Sequence, residues 1–297
     1  MRKASIARGT LLVAVLALAA SCGGSKGTTA KKQEPKVTNK VTIEATEFSF
    51  KVSGSITTGQ SDLVFTNTGG LDHMLTWARL KPGATPQQLA DAFLQGDGSG
   101  GADLVADPAD AERSPILAGP QEKFEIISDV FTQPGTYALL CFLPAPDGQP
   151  HAAKGMVGSL EVTKATASPV TLKSDGDVNL DGKAPVLPAK LSSGKGTFKV
   201  TNTGTEGHSF GFVRVQPGVD YAAADKYFND KFSGKPVPDT APAVIAGTTY
   251  NLPAGTSIYV VLDLKPGRYI VACFEGGDEN GENDHADLGE RTELTVA

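Results

Sequence analysis

The second half of this 297-residue chain repeats the first. Thr66-Asn67-Thr68-Gly69 returns 135 positions later as Thr201-Asn202-Thr203-Gly204, and Pro82-Gly83 returns at the same offset as Pro217-Gly218. Pro134-Gly135-Thr136-Tyr137 returns after 132 positions as Pro266-Gly267-Arg268-Tyr269. Turn motifs spaced this regularly mean that one unit of about 120–130 residues occurs twice, a normal size for a single core. The expected boundaries are 41–163 and 169–297, with a linker at 164–168 around Ala165-Thr166-Ala167-Ser168.

Within each copy the pattern is mostly strand. Phe48, Phe50 and Val52 alternate with polar residues, as do Leu63 and Phe65, and Phe198 and Val200 repeat the alternation. Further strands are expected at 121–130 and 256–264, each ending before a Pro-Gly turn. The runs Tyr137 to Cys141 and Tyr269 to Cys273 read as buried strands. One helix interrupts each copy. In the first, Thr85 is an N-cap, Pro86 takes the first helical position, Gln88 completes a capping box and Gly96 stops the helix. Its counterpart runs from Asp220 to Phe232. The fold class is therefore all-β: two tandem β-sandwiches, each with one short inserted α-helix.

The N-terminal residues carry a different signal. Arg2, Lys3 and Arg8 precede an apolar run from Leu11 to Ala20, about half the roughly 20 residues needed to cross a bilayer. The small residues Ala19-Ala20-Ser21 then meet Cys22. Residues 1–21 read as a secretory signal, and the residues before Cys22 resemble a bacterial lipobox, which implies lipidation of Cys22. Residues 22–40 then form a flexible polar tether from a lipid anchor in the cell membrane. Removing 1–21 leaves 24 Lys plus Arg against 33 Asp plus Glu, a net charge of −9. That excludes the basic footprint of a nucleic-acid-binding protein and suits an exported module meeting a basic partner.

All four histidines fall into the repeat. The first copy holds His73 after its Asn-Thr-Gly turn, then Cys141, His151 and Met156; the second holds His208, Cys273, His285 and Glu290. Two imidazoles, a thiolate and a thioether form the donor set of a mononuclear blue-copper centre. A Cys141–Cys273 disulfide is not expected, because it would require both copies to present the same strand end to each other. Metal ligation explains two thiols kept in an oxidising compartment.

The Asn-Thr-Gly turn before His73, the Pro-Gly-Thr-Tyr strand into Cys141 and the segment His151 to Met156 resemble those of cupredoxins, the plastocyanin-like Greek-key β-sandwiches. The resemblance covers nearly all of each copy. It implies equatorial ligands His73, Cys141 and His151 with Met156 as a weak axial ligand, one copper ion in the first copy, and electron transfer or copper holding. Two features depart from the family. Nine residues separate Cys141 from His151, and Met74 stands where plastocyanins often place an asparagine that supports the cysteine. In the second copy eleven residues separate Cys273 from His285, and Glu290 replaces the methionine. A carboxylate favours a harder, more oxidised ion, and Asp278, Glu279, Glu282, Asp284 and Asp287 crowd that loop. The second site is accordingly expected to be degenerate.

Asp177-Val178-Asn179-Leu180-Asp181-Gly182 resembles the opening of an EF-hand loop, but Pro188 occupies the twelfth position and no flanking helix is evident, so calcium is not expected. No enzyme is expected. The multicopper oxidases and nitrite reductases that resemble cupredoxins need further histidines, and no phosphate loop, nucleophile elbow or zinc-protease helix is present. The implied partners are a membrane, through the lipid, and a redox or copper-transfer protein. The alternatives are a metal-free cupredoxin-like surface binding module and a structural lipoprotein.

Overall fold

The computed structural model describes residues 37, 39–95, 101–107, 116–165, 169–276 and 284–297. The expected signal segment, Cys22, the Gly96 helix stop, most of the linker and the acids Asp278, Glu279 and Glu282 lie outside the described residues.

The first copy is a two-sheet sandwich. One sheet orders β2 (Ser49–Gly54), β1 (Lys40–Thr46), β4 (Ser61–Asn67) and β7 (Lys123–Ser128). The facing sheet orders β3 (Ile56–Thr57), β9 (Val157–Thr163), β8 (Gly135–Leu140), β5 (His73–Arg79) and β6 (Ile116–Ala118). β1 and β4 run parallel, with Val41, Ile43 and Ala45 all buried on the inner face. Helix α1 (Pro86–Gln95) follows β5 and buries Leu89 and Ala90; Thr85 and Gln88 make its capping bonds. The chain crosses between sheets after β2, β3, β4, β6 and β7, in Greek-key fashion.

Without counterparts of β2 and β3, the second copy otherwise repeats this order with β10 (Asp177–Leu180), β11 (Lys195–Asn202), β12 (Gly211–Val215), α2 (Tyr221–Phe232), β13 (Ala243–Thr248), β14 (Ser257–Asp263), β15 (Gly267–Ala272) and β16 (Arg291–Val296). The EF-hand-like segment is strand β10, paired in parallel with β11. Both Pro-Gly-x-Tyr motifs build the same corner: Tyr137 donates its hydroxyl to the Gln133 carbonyl and Tyr269 donates to that of Lys265.

The two copies share one sheet. β7 and β14 pair antiparallel, giving a continuous seven-stranded order β10-β11-β14-β7-β4-β1-β2. Ile126 faces Leu63 in the first copy as Val260 faces Phe198 in the second, and Ile126 and Val260 face each other. Equivalent residues meeting across an antiparallel pair make a local two-fold axis within one chain. One continuous hydrophobic core extends from Val41 to Val296 and takes in both sandwiches. Trp77 meets Tyr250 edge-on at 5.8 Å, and Glu122 accepts from Arg214 and Lys265, each at 2.8 Å.

Candidate metal centres

A buried asparagine positions the first histidine of each copy. In the first copy the Asn67 side chain donates to the carbonyls of Leu71 (2.7 Å) and Ala118 (2.9 Å) and accepts from the Gly69 amide (2.8 Å). Asn202 repeats this with Glu206, Leu252 and Gly204. The Asn-Thr-Gly turn is thus stapled at both ends; His73 opens β5, and His208 lies three residues before β12, bridged to Leu252. The cysteine directly follows β8 or β15. The second histidine opens a short turn whose glycine, Gly155 or Gly289, takes a left-handed conformation. That turn places Met156 or Glu290 five residues on, with its amide donating to the histidine carbonyl (3.0 and 2.9 Å).

The expected ligands converge in both copies. The metal-binding atoms of His73, Cys141 and His151 all lie within 4.8 Å of one another, and so do those of His208, Cys273, His285 and Glu290. In the first centre the two Nδ1 atoms are 3.2 Å apart, and the Cys141 sulfur is 3.3 Å from His151 Nδ1. In the second the Nδ1 atoms are 3.1 Å apart, with the Cys273 sulfur 3.3 Å from His285 and 3.7 Å from His208. Bonds of ~2.0–2.3 Å to nitrogen and sulfur around a tetrahedral ion set neighbouring ligand atoms roughly 3.3–3.6 Å apart, so both clusters have the dimensions of a metal cage. Met156 is fully buried in the core cluster that also holds Cys141.

Glu290 sits as a fourth donor to the second cluster, with Oε2 at 2.9 Å from His208 Nδ1 and Oε1 at 3.4 Å from His285 Nδ1. Degeneracy was expected for this copy, yet its four donors are as tightly gathered as those of the first. The two thiols sit in separate histidine clusters, each as a free cysteine.

The electrostatics oppose charge on the bare ligands. Burial, then the neighbouring His151, pulls His73 down to about 4, and burial also lowers His151 and His208. Burial pushes both Cys141 and Cys273 up to about 11. At neutral pH the first centre is two neutral imidazoles and a neutral thiol, with no cation among them. Among the described residues its buried Nε2 atoms have no hydrogen-bond partner, and the Phe48 ring meets His151 edge-on at 5.1 Å. The two Nδ1 atoms face one another at 3.2 Å, a spacing that suits either one shared proton or a cation held between them.

Several supporting residues escaped the sequence. The Met74 amide donates to the Cys141 sulfur at 3.4 Å, and the Ser209 amide to that of Cys273 at 3.3 Å, with the Ser209 hydroxyl adding a longer contact at 3.8 Å. The residue after the first histidine therefore supports the thiolate through its backbone, so Met74 loses less than the missing asparagine suggested. Glu206 lies 3.5 Å from His285 Nε2. The equivalence of Ser209 and Met74 was readable from the repeat; the place of Glu206 was not.

The fold is cupredoxin-like. No family model and no curated protein sequence matches the chain. Among solved structures, the dithionite-reduced auracyanin of the photosynthetic bacterium Roseiflexus castenholzii is similar at 23% identity over 43% of this chain and 99% of that one, with a TM-score of 0.28. Auracyanin A of Chloroflexus aurantiacus, described as a blue copper protein, is 27% identical over 42% of this chain and 99% of its own, with a TM-score of 0.27. A multicopper oxidase is 15% identical over 87% of this chain and 88% of its own, with a TM-score of 0.24. These superpositions are loose, and the copper assignment below rests on the chain's own ligands.

Proposed function

We propose that this protein is an extracytoplasmic, membrane-anchored copper protein that transfers single electrons or holds copper, with His73, Cys141, His151 and Met156 as its redox centre. The carrying observation is the convergence of three buried ligand atoms from β5, the residue after β8 and the following turn within 4.8 Å. Two imidazoles and a thiolate beside a buried thioether are the ligand types of a type 1 copper site. Bound copper supplies a one-electron couple. The chain's residues hold the geometry: the Asn67 staple sets His73, the sheet sets Cys141, and the Gly155 turn sets His151 and Met156. A cage fixed in this way limits the rearrangement that accompanies a change of charge.

Loading has a defined proton cost. The Cys141 proton must leave for the thiolate to bind, whereas neutral His73 and His151 are already in ligating form. Glu290 gives the second centre a hard anionic donor, which favours the more oxidised ion there and leaves the first centre as the site that cycles. The lipid on Cys22 tethers the sandwiches outside the bacterial cell membrane, where a redox or copper-transfer protein meets their acidic surface.

Copper(II) added to the purified protein tests this directly. The expected result is an intense visible thiolate–copper absorption, with one component lost in Cys141→Ser and another in Cys273→Ser. A colourless protein that takes up no copper overturns the proposal and leaves a metal-free surface module. Release of the Cys22→Ser protein from the membrane fraction checks the anchor; retention of that variant would refute it.

A further inference from the structure

Beneath helix α2 lies a cavity of about 320 Å³ that the metal chemistry does not use. Its origin is visible in the comparison of the two copies. Four residues after the N-cap, α1 carries Leu89, fully buried, and α2 carries the smaller Ala224, which lines the cavity. α1 lies against β8 and β9, whereas α2 approaches no strand as closely. In the first copy Phe93 packs edge-on against Phe142 at 5.4 Å. In the second copy Phe228 instead stacks on Phe232 at 5.8 Å, and both rings line the cavity with Phe274, the counterpart of Phe142. The duplication thus preserved the fold and opened an aromatic-walled space in one copy.

The polar groups of this space share one sign. Asp225, Glu275 and Asp284 line it, and among the described residues no lysine, arginine or histidine does. Asp284 accepts from the Tyr221 hydroxyl at 3.0 Å, and Arg291 stacks on the outside of Tyr221, donating to the Ala286 carbonyl. Burial and the neighbouring Asp287 and Asp284 push the Asp225 carboxyl up, and the Asn229 side chain, a neutral donor, bonds it at 2.9 Å. Aromatic faces attract cations as well as apolar groups, and a cavity of this size suits a small organic molecule.

We propose that this cavity is a binding site for a small aromatic or alkyl amine in its ammonium form, its apolar body between Phe228, Phe232 and Phe274 and its charge at Asp225. The site borders the second metal centre: Ser209, whose amide donates to the Cys273 sulfur, forms part of the wall. Leu117 of the first copy closes another part and pairs across β5–β6 with Met74, which donates to the Cys141 sulfur. An occupant therefore touches a residue bonded to the Cys273 sulfur and, through Leu117, the strand partner of the residue bonded to the Cys141 sulfur. Neither the site nor its test depends on copper being bound.

Calorimetric titration of the metal-free full chain with 2-phenylethylamine, beside the uncharged 2-phenylethanol, tests the proposal. The amine should bind saturably and roughly tenfold more tightly than the alcohol, because only the ammonium gains a charge-assisted bond. Ala224→Leu, which copies the first sandwich, should abolish binding. Asp225→Asn, a near-isosteric change at a half-buried position on the cavity wall, should reduce amine affinity roughly tenfold and leave the alcohol unchanged. Absence of saturable amine binding, equal affinity for the alcohol, or full binding by a folded Ala224→Leu protein each overturns the proposal. Should Ala224→Leu fail to fold, unchanged amine affinity in Asp225→Asn overturns it alone.

Discussion

At the residue scale, His73 and Cys141 move in opposite directions for the same reason: burial disfavours the imidazolium and the thiolate alike. The histidine has a stability consequence. Its folded value of about 4 lies below its ordinary 6.5, so as pH falls the unfolded chain takes the proton first and stability is lost between those values. Denaturant unfolding of the metal-free protein should show wild type losing about 3 kcal/mol relative to His73→Gln between about pH 7.5 and pH 4. A pH-independent difference would mean that His73 titrates normally. Glu290 distinguishes the two centres chemically. In the copper-loaded protein, ascorbate should bleach the Cys141 band before the Cys273 band, and Glu290→Met should bring the second band to bleach with the first. Visible spectra during reduction would decide it.

At the scale of elements, each site depends on a loop that one buried amide holds in place. Asn67→Ala removes two donated bonds and one accepted bond, leaving the Leu71 and Ala118 carbonyls and the Gly69 amide to find other partners. A loss of about 2–4 kcal/mol is expected on thermal unfolding. Copper affinity at the first centre should fall about 10–100-fold with little change at the second, because His73 loses its support. Equal weakening of both centres would show that the turn acts on the whole fold rather than on its own ligand. Strands β2, β4 and β11 were legible from period-two alternation, β8 and β15 as buried apolar runs, and the first helix from its cap, whereas β5, β6, β12 and β13 were not foreseen. The turn's Asn-Thr-Gly wording was also legible in the sequence. Its bonding was not, because the carbonyl of Ala118 is 51 positions away.

At the scale of the molecule, the tandem sandwiches behave as one body. The strand edges of β7 and β14 would be open in separate copies, and pairing removes both edges at once. Gly247 marks how closely the copies meet. It has φ of +149°, and a Cβ there would stand 2.1 Å from Phe124 Cδ2 of the other copy. Gly247→Ala should therefore destabilise the protein by about 1–3 kcal/mol and lower a single melting transition, as read by calorimetry. Two separate transitions, only one of them shifted, would show that the sandwiches unfold independently. The Glu122 pairs with Arg214 and Lys265 and the ion pair between Lys231 and Asp72 reinforce the same contact.

The duplication, the all-β class, the inserted helices and the eight candidate ligands follow from the amino-acid order alone. Turn chemistry and alternation are local, and a repeat shows each ligand twice. Tertiary structure decided the rest. Only packing brings His73 and His151 to 3.2 Å across 78 positions, and only packing makes Glu290 a fourth donor at 2.9 Å from His208. The shared seven-stranded sheet and the cavity beneath α2 are likewise invisible in the chain. The first depends on which strand edges meet, and the second on whether neighbouring side chains fill the space that a leucine-to-alanine difference leaves.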